Sequence, residues 1–374
     1  MSKTRLHYID WIRVLAFGSL IFFHCLVPFT QFNWEIKNPT SSIWVDRIVI
    51  WLHQWRLPLL FFISGVGVSF SLKKRSIGRF AWERTSRLLI PLAFAMFFII
   101  PIQVYYEWLQ KGVIEISYAE FWPTVWEMVP YPDGTLTWSH MWFVAYLFVF
   151  TILLLPIFGA YKFTVVRTLI GKLDVLFKRV GVPMIFSIPF MLYYFSLYID
   201  WPEQGNLIAD WWNFISSISF YFIGFLVSGL PTFWNNCHRN RRTYLILALL
   251  TSIGLFIGYY WKMELPEVQD NRLYVYGVLD AVFIWSIMLA VIGYSMKWLN
   301  HYSPRLHYLN RAVYPFYILH QPVIVVSGYY VVQWEIPILF KILLLMVICC
   351  LTVFIAYQLI ISRTKLTRVL FGVK

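Results

Sequence analysis

An arginine and a histidine stand eleven residues apart, Arg13 and His24, in the first strongly apolar stretch of the chain. At about 100° per residue this is roughly three helical turns, so a helix there would carry both side chains on one face, about 16 Å apart. Ionisable groups in an apolar span are costly and mark functional sites by default. An imidazole near mid-span suits general-base work because its pKa lies near operating pH. Asp10, three residues before Arg13, is spaced to orient the guanidinium by an i, i+3 ion pair. The plain alternative is a histidine bonded between helices, an arginine reaching lipid phosphate and a carboxylate at a helix start.

Further along, His53 and Arg56 are spaced to share a face in the outer half of a second span. Arg56 lies deep for an interfacial anchor, although outward snorkelling accounts for it too. Ser64 and Gly65 follow, where small side chains let a ligand or a neighbouring helix approach the backbone; helix packing alone explains them. Arg84 and Arg87 end a run of six basic residues beginning at Lys73. Three apart on a helix, they form a pair suited to phosphate, and the excess of Lys and Arg on cytoplasmic loops explains them without a ligand. His140 opens a fourth span at the outer surface, where an acceptor would arrive, or is simply interfacial. Tyr314, Tyr317 and His320 form an i, i+3, i+6 stripe, and a second mid-membrane histidine points to a polar interior. Asp280 is a further intramembrane charge and a candidate partner for a histidine or for Arg56.

The elements that position these residues follow from composition. Of 374 residues, 60% are hydrophobic, 20% aromatic and 13% charged, against about a quarter charged in soluble domains. The expected fold is all-α: a polytopic integral membrane bundle of about ten helices. The spans fall near 12–32, 48–72, 85–107, 140–159, 183–200, 211–229, 243–262, 275–296, 312–333 and 337–361. Lys and Arg gather in alternate connections, including Lys3, Arg5, the 73–87 run and Lys374, while acidic residues such as Glu35, Glu107, Glu203 and Glu335 occupy the others. Both termini are therefore expected on the cytoplasmic side. The net charge of +13 follows from this topology and from anionic lipid, not from nucleic acid. Cys25, Cys237, Cys349 and Cys350 show no paired spacing, so neither a disulfide framework nor a metal site is expected. The first span reads as a retained helix and not as a signal peptide. No linker or internal repeat interrupts the chain, so residues 1–374 are expected to form a single membrane domain. The aromatic loop at about 108–139, with Trp122, Trp126 and Tyr131, suits the membrane interface or a sugar-binding rim.

Together these stretches resemble the membrane-bound acyltransferase family 3, and most closely its glucan-modifying, succinyltransferase-like branch. The resemblance rests on Asp10-Trp11-Ile12-Arg13 with His24, Trp55-Arg56-Leu57-Pro58 leading to Ser64-Gly65, Arg84-x-x-Arg87 with Pro91, His140-Met141-Trp142-Phe143-Val144, and Tyr314-Pro315-Phe316-Tyr317-Ile318-Leu319-His320. It implies acyl transfer from a cytoplasmic acyl-CoA to a hydroxyl of an extracytoplasmic glycan or lipid-linked sugar at the bacterial inner membrane, with Arg13, His24, Arg84 and Arg87 essential. Two departures stand out. Val66 follows Gly65 where many members carry an aromatic, and no soluble esterase-like domain is expected.

On this reading the phosphates of acetyl-CoA or succinyl-CoA lie against Arg13, Arg84 and Arg87, with Ser64 and Gly65 beside the donor. His24 deprotonates an acceptor held by His53, Arg56, His140, Tyr317 and His320. The rival reading from residues alone is a proton-coupled transporter using His24, Arg56, Asp280 and His320 as a relay.

Overall fold

Hydrocarbon offers no partner to a backbone N–H or C=O, so each apolar stretch must satisfy its own peptide groups, and a helix does so within one segment. The computed structural model of the protein describes residues 6–373, and among these there is no strand, only an isolated bridge between Pro130 and Leu136. Lys3, Arg5 and Lys374, which enter the charge argument for the termini, lie outside the described residues.

The principal helices are α1 (His7–Leu26), α2 (Ile43–Leu72), α3 (Ile77–Phe94), α4 (Pro101–Gln110), α5 (Trp142–Leu153), α6 (Ser187–Leu197), α7 (Trp211–Val227), α8 (Arg241–Leu255), α9 (Asn271–Trp298), α10 (Pro304–Val331) and α11 (Ile338–Ala356). Among the described residues six helices are long and apolar enough to cross a membrane, and up to eight if each of two bent pairs counts as one span. The sequence suggests about ten, and the difference has local causes. The fourth expected span coincides with a short apolar helix, Ser139–Leu153. The fifth and sixth belong to pairs bent by 119° and 104°. The ninth forms α10, whose tyrosines, histidines, Gln321 and internal Pro315 and Pro322 dilute its apolar character.

The chain divides into two compact units, each assembled from segments distant in sequence, which is why no linker marks the division. One comprises residues up to Ala16, Trp51–Trp82 and Val149–Leu306. In it α8 and α9 pack as a long hairpin and α6 lies along α9. Trp285 of α9 is fully buried among Phe62, Phe186, Phe190 and Phe220. Helices α2 and α7 touch backbone to backbone. A Cβ on Gly65 would collide with the Tyr221 carbonyl, and one on Gly224 with the Phe62 carbonyl. Small residues allow this approach between membrane helices, so the room beside Gly65 is filled by protein.

The other unit comprises Phe17–Ile50, Glu83–Phe148 and His307–Lys374. Its connection between α1 and α2 is pinned at several points. Gln110 of α4 accepts from the Lys37 amide at 2.7 Å and donates to the Lys37 carbonyl at 3.0 Å. Lys341 of α11 donates to Asn38 Oδ1 at 2.7 Å, and Asp46 accepts from the Gln31 amide at 2.8 Å. The aromatic stretch folds down onto the unit: the Trp122 indole donates to the Phe97 carbonyl at 3.0 Å, and Trp126 stacks on Phe97.

Candidate active site

Pro322 sits inside α10 and has no N–H to give, so the carbonyl of Ile318, four residues earlier, loses its helical donor. His140 fills that place, with its Nε2 3.1 Å from the Ile318 oxygen. A carbonyl only accepts, so the proton is on His140 Nε2 and the lone pair on Nδ1, which faces the Gln103 amide nitrogen at 3.3 Å. The Tyr317 hydroxyl in turn donates to the His140 carbonyl. Both ring nitrogens of His140 are thus engaged by protein groups, and the buried ring holds the start of α5 against the proline-bearing part of α10. Expected as an acceptor contact, His140 has the surroundings of a structural pin.

The same logic fixes the next histidine. His320 is fully buried, and its Nδ1 lies 2.6 Å from the Tyr317 carbonyl. That carbonyl requires a proton on Nδ1, so a neutral His320 presents a lone pair at Nε2. His24 Nδ1 lies 2.9 Å from it and must then be the donor, which puts the lone pair of His24 on Nε2. One histidine therefore sets the tautomer and orientation of the other, the role a second group plays for a general base. His24 is half-buried, and its ring stacks at 17° on Trp34, with centroids 6.3 Å apart.

Glu35, next to Trp34, accepts from Gln321 Nε2 at 2.6 Å and from Ser139 Oγ at 3.3 Å. It lies in the connection between α1 and α2, outside the candidate spans. Burial pushes its carboxyl up to about 7, nearby Glu107 adds to the rise, and the bonds from Gln321 and Ser139 oppose it. Glu107 itself accepts from Tyr131 at 2.8 Å. In the same unit Arg84 and Arg87 lie half-buried on α3, and Arg87 is 4.0 Å from Glu83.

The remaining sequence candidates belong to the other unit. Arg13 pairs with Asp10 at 3.4 Å, the i, i+3 contact their spacing anticipates, and its guanidinium borders Gly67 of α2. His53 Nε2 lies 2.9 Å from Glu203. Arg56 is buried on the same helix, under the influence of the Glu203 carboxylate. Ser64 is half-buried. Asp280, a candidate partner for a histidine or Arg56, accepts from the Tyr194 hydroxyl and lies within electrostatic reach of His53. No group of three or more His, Cys, Asp or Glu side chains able to hold a metal occurs among the described residues.

Sequence reasoning passed over Trp34, Glu35, Gln103 and Gln321. The residue partnered by Glu35 is 286 positions away, and no local spacing announces such a pair. Pro322 does announce an orphaned carbonyl at Ile318, but the donor it calls for is His140 and none of these four.

Comparison with known proteins identifies the family. Residues 6–361 match the acyltransferase family 3 model, described as an acyltransferase domain. The chain is 24% identical over 340 residues to glucans biosynthesis protein C of Escherichia coli O139:H28 (strain E24377A / ETEC), covering 88% of this chain and 85% of the relative. The protein of the same name from strain K12 is equally similar, and that from O81 (strain ED1a) is 23% identical over the same length. No solved structure matches. With the match running over nearly its whole length, the chain belongs to the acyltransferase family 3 and is a multi-pass membrane acyltransferase.

Proposed function

We propose that the protein transfers an acetyl or succinyl group from cytoplasmic acyl-CoA to a hydroxyl of an extracytoplasmic glucan. The observation that carries this reading is the His24–His320 pair, whose hydrogen bonds direct the His24 lone pair to Nε2. His24 Nε2 takes the proton of the acceptor hydroxyl as its oxygen attacks the thioester carbonyl. The new C–O bond forms, the C–S bond breaks, and the imidazolium returns the proton to the departing thiolate as CoA leaves. Arg84 and Arg87 bind the donor's phosphates as paired guanidiniums, and Arg13, oriented by Asp10, is assigned to the donor as well.

The names of the relatives supply the glucan as acceptor, and the chain's apolar helices suit the inner membrane with both termini cytoplasmic. The test is thiol release from acetyl-CoA and succinyl-CoA by purified protein, with and without a soluble envelope glucan fraction. Glucan-stimulated release that disappears in His24→Ala supports the reading. Release that persists in the variant removes His24 from the mechanism, and absence of release with either donor removes acyl-CoA transfer.

A further inference from the structure

Two chain steps away from the histidine pair meet each other. Trp34 stacks on His24, and the next residue is Glu35. His320 bonds His24, and the next residue is Gln321. Glu35 and Gln321 are themselves joined at 2.6 Å, with Ser139 on the same carboxylate oxygen.

This arrangement leaves acceptor atoms over. Gln321 is 3% exposed, and its Oε1, like Glu35 Oε2, is buried with no hydrogen-bond partner among the described residues. Leaving such atoms unmatched costs free energy, so each needs a donor from elsewhere. Trp34, Glu35, Ser139 and His24 are half-buried, so the cluster lies at the edge of the fold, with its two unmatched oxygens covered. An aromatic ring beside acceptor oxygens fits one ligand chemistry well, a sugar ring with an apolar face and hydroxyl donors at its edge.

We propose that Trp34, Glu35, Ser139 and Gln321 form the acceptor seat, taking one sugar unit of a polyhydroxylated glycan on the Trp34 face with its hydroxyls donating to Glu35 Oε2 and Gln321 Oε1. The seat holds a neighbouring hydroxyl beside His24, and in this it rests on the assignment of His24 as the base. Glu35 and Gln321 recognise the acceptor and leave the donor alone.

The experiment combines calorimetric titration of the full chain in lipid nanodiscs with steady-state kinetics. The probe is the soluble envelope glucan fraction of Escherichia coli, with acetyl-CoA and succinyl-CoA as donors. Losing a hydrogen bond weakens binding several-fold to about tenfold, and more where the partner is charged. Glu35→Gln and Gln321→Leu are therefore each expected to weaken glucan binding about tenfold and to raise the glucan KM in proportion, with the donor KM unchanged. Ser139→Ala, which removes one hydroxyl, carries the same test with a smaller shift if Glu35→Gln yields no folded protein. Wild-type protein that binds no glucan, or variants that bind it as wild type does, overturn the seat. Binding that is lost in Glu35→Gln while the wild type turns over no donor keeps the seat and removes the acyl-transfer reading. Turnover with an unchanged glucan KM in Glu35→Gln does the reverse.

Discussion

In the unit that holds α10, buried histidines pass hydrogen bonds from Tyr317 through His320 to a half-buried imidazole at His24. In the unit that holds α9, the fully buried Asp280 carboxylate meets the Tyr194 hydroxyl, and the Tyr194 ring packs against Tyr198 and Tyr276. Both clusters place ionisable groups inside apolar surroundings, and both look equally functional by composition. What separates them is where the hydrogen bonds end. The first series runs out to a half-buried ring with a directed lone pair, while the second ends among buried phenols, with Asp280 Oδ1 left without a hydrogen-bond partner among the described residues. An intramembrane charge becomes a candidate for chemistry when its hydrogen bonds lead to a ring near the surface of the fold.

The sharpest way to break this contrast is His24→Ala, which should lower acyl transfer by about 10²–10⁴, the usual worth of general-base assistance, with the protein still folded by thermal melt. Wild-type rates would erase the difference between the clusters. His320→Gln should cost about 10–100-fold by releasing the His24 ring, and should also displace the pH profile of kcat/KM. A purely structural role would leave that profile in place. Gly65→Ala tests the packed unit instead. It should lower stability by about 1–3 kcal/mol, read from the melting temperature.

Titration gives a gentler test. The Glu35 carboxyl rises from 4.5 to about 7 in the folded protein, so across that window the native state holds a proton that the unfolded chain has released. Stability should therefore fall as pH climbs from about 4.5 to about 7 and level off above it. Glu35→Gln should flatten this slope in melting curves taken across the window. The smallest effect is expected for His53→Ala, whose contact with Glu203 is partly solvent-exposed. A stability change near or below about 1 kcal/mol is expected from such a pair, and a larger loss would assign it a buried role.

Much of this was legible in the sequence, and the limits are physical. The Arg13–His24 spacing and the Asp10–Arg13 contact are local, and helical periodicity alone fixes them. The Tyr314, Tyr317 and His320 stripe was visible as polarity on one helix face, but the partner of His320 is 296 residues distant, and no periodicity connects them. Each expected span coincides with helix, yet the number able to cross depends on bends and on polar dilution. At α10 the very residues that build the site lower the hydropathy that would have identified a span. His140 was read by its place at a helix entrance, whereas its surroundings are set by Pro322, far along the chain.

The close approach of α2 and α7 at Gly65 and Gly224 bears on motion. Side chains between two helices act as a bearing, since they can change rotamer while the axes slide or rock. Helices α2 and α7 have no such layer where they cross. One backbone rests in the notch left by the other's missing Cβ, so a shift of a single residue in either direction would drive a side chain into a carbonyl. This crossing is built as a rivet inside one unit. A molecule meeting this part of the protein encounters a fixed wall.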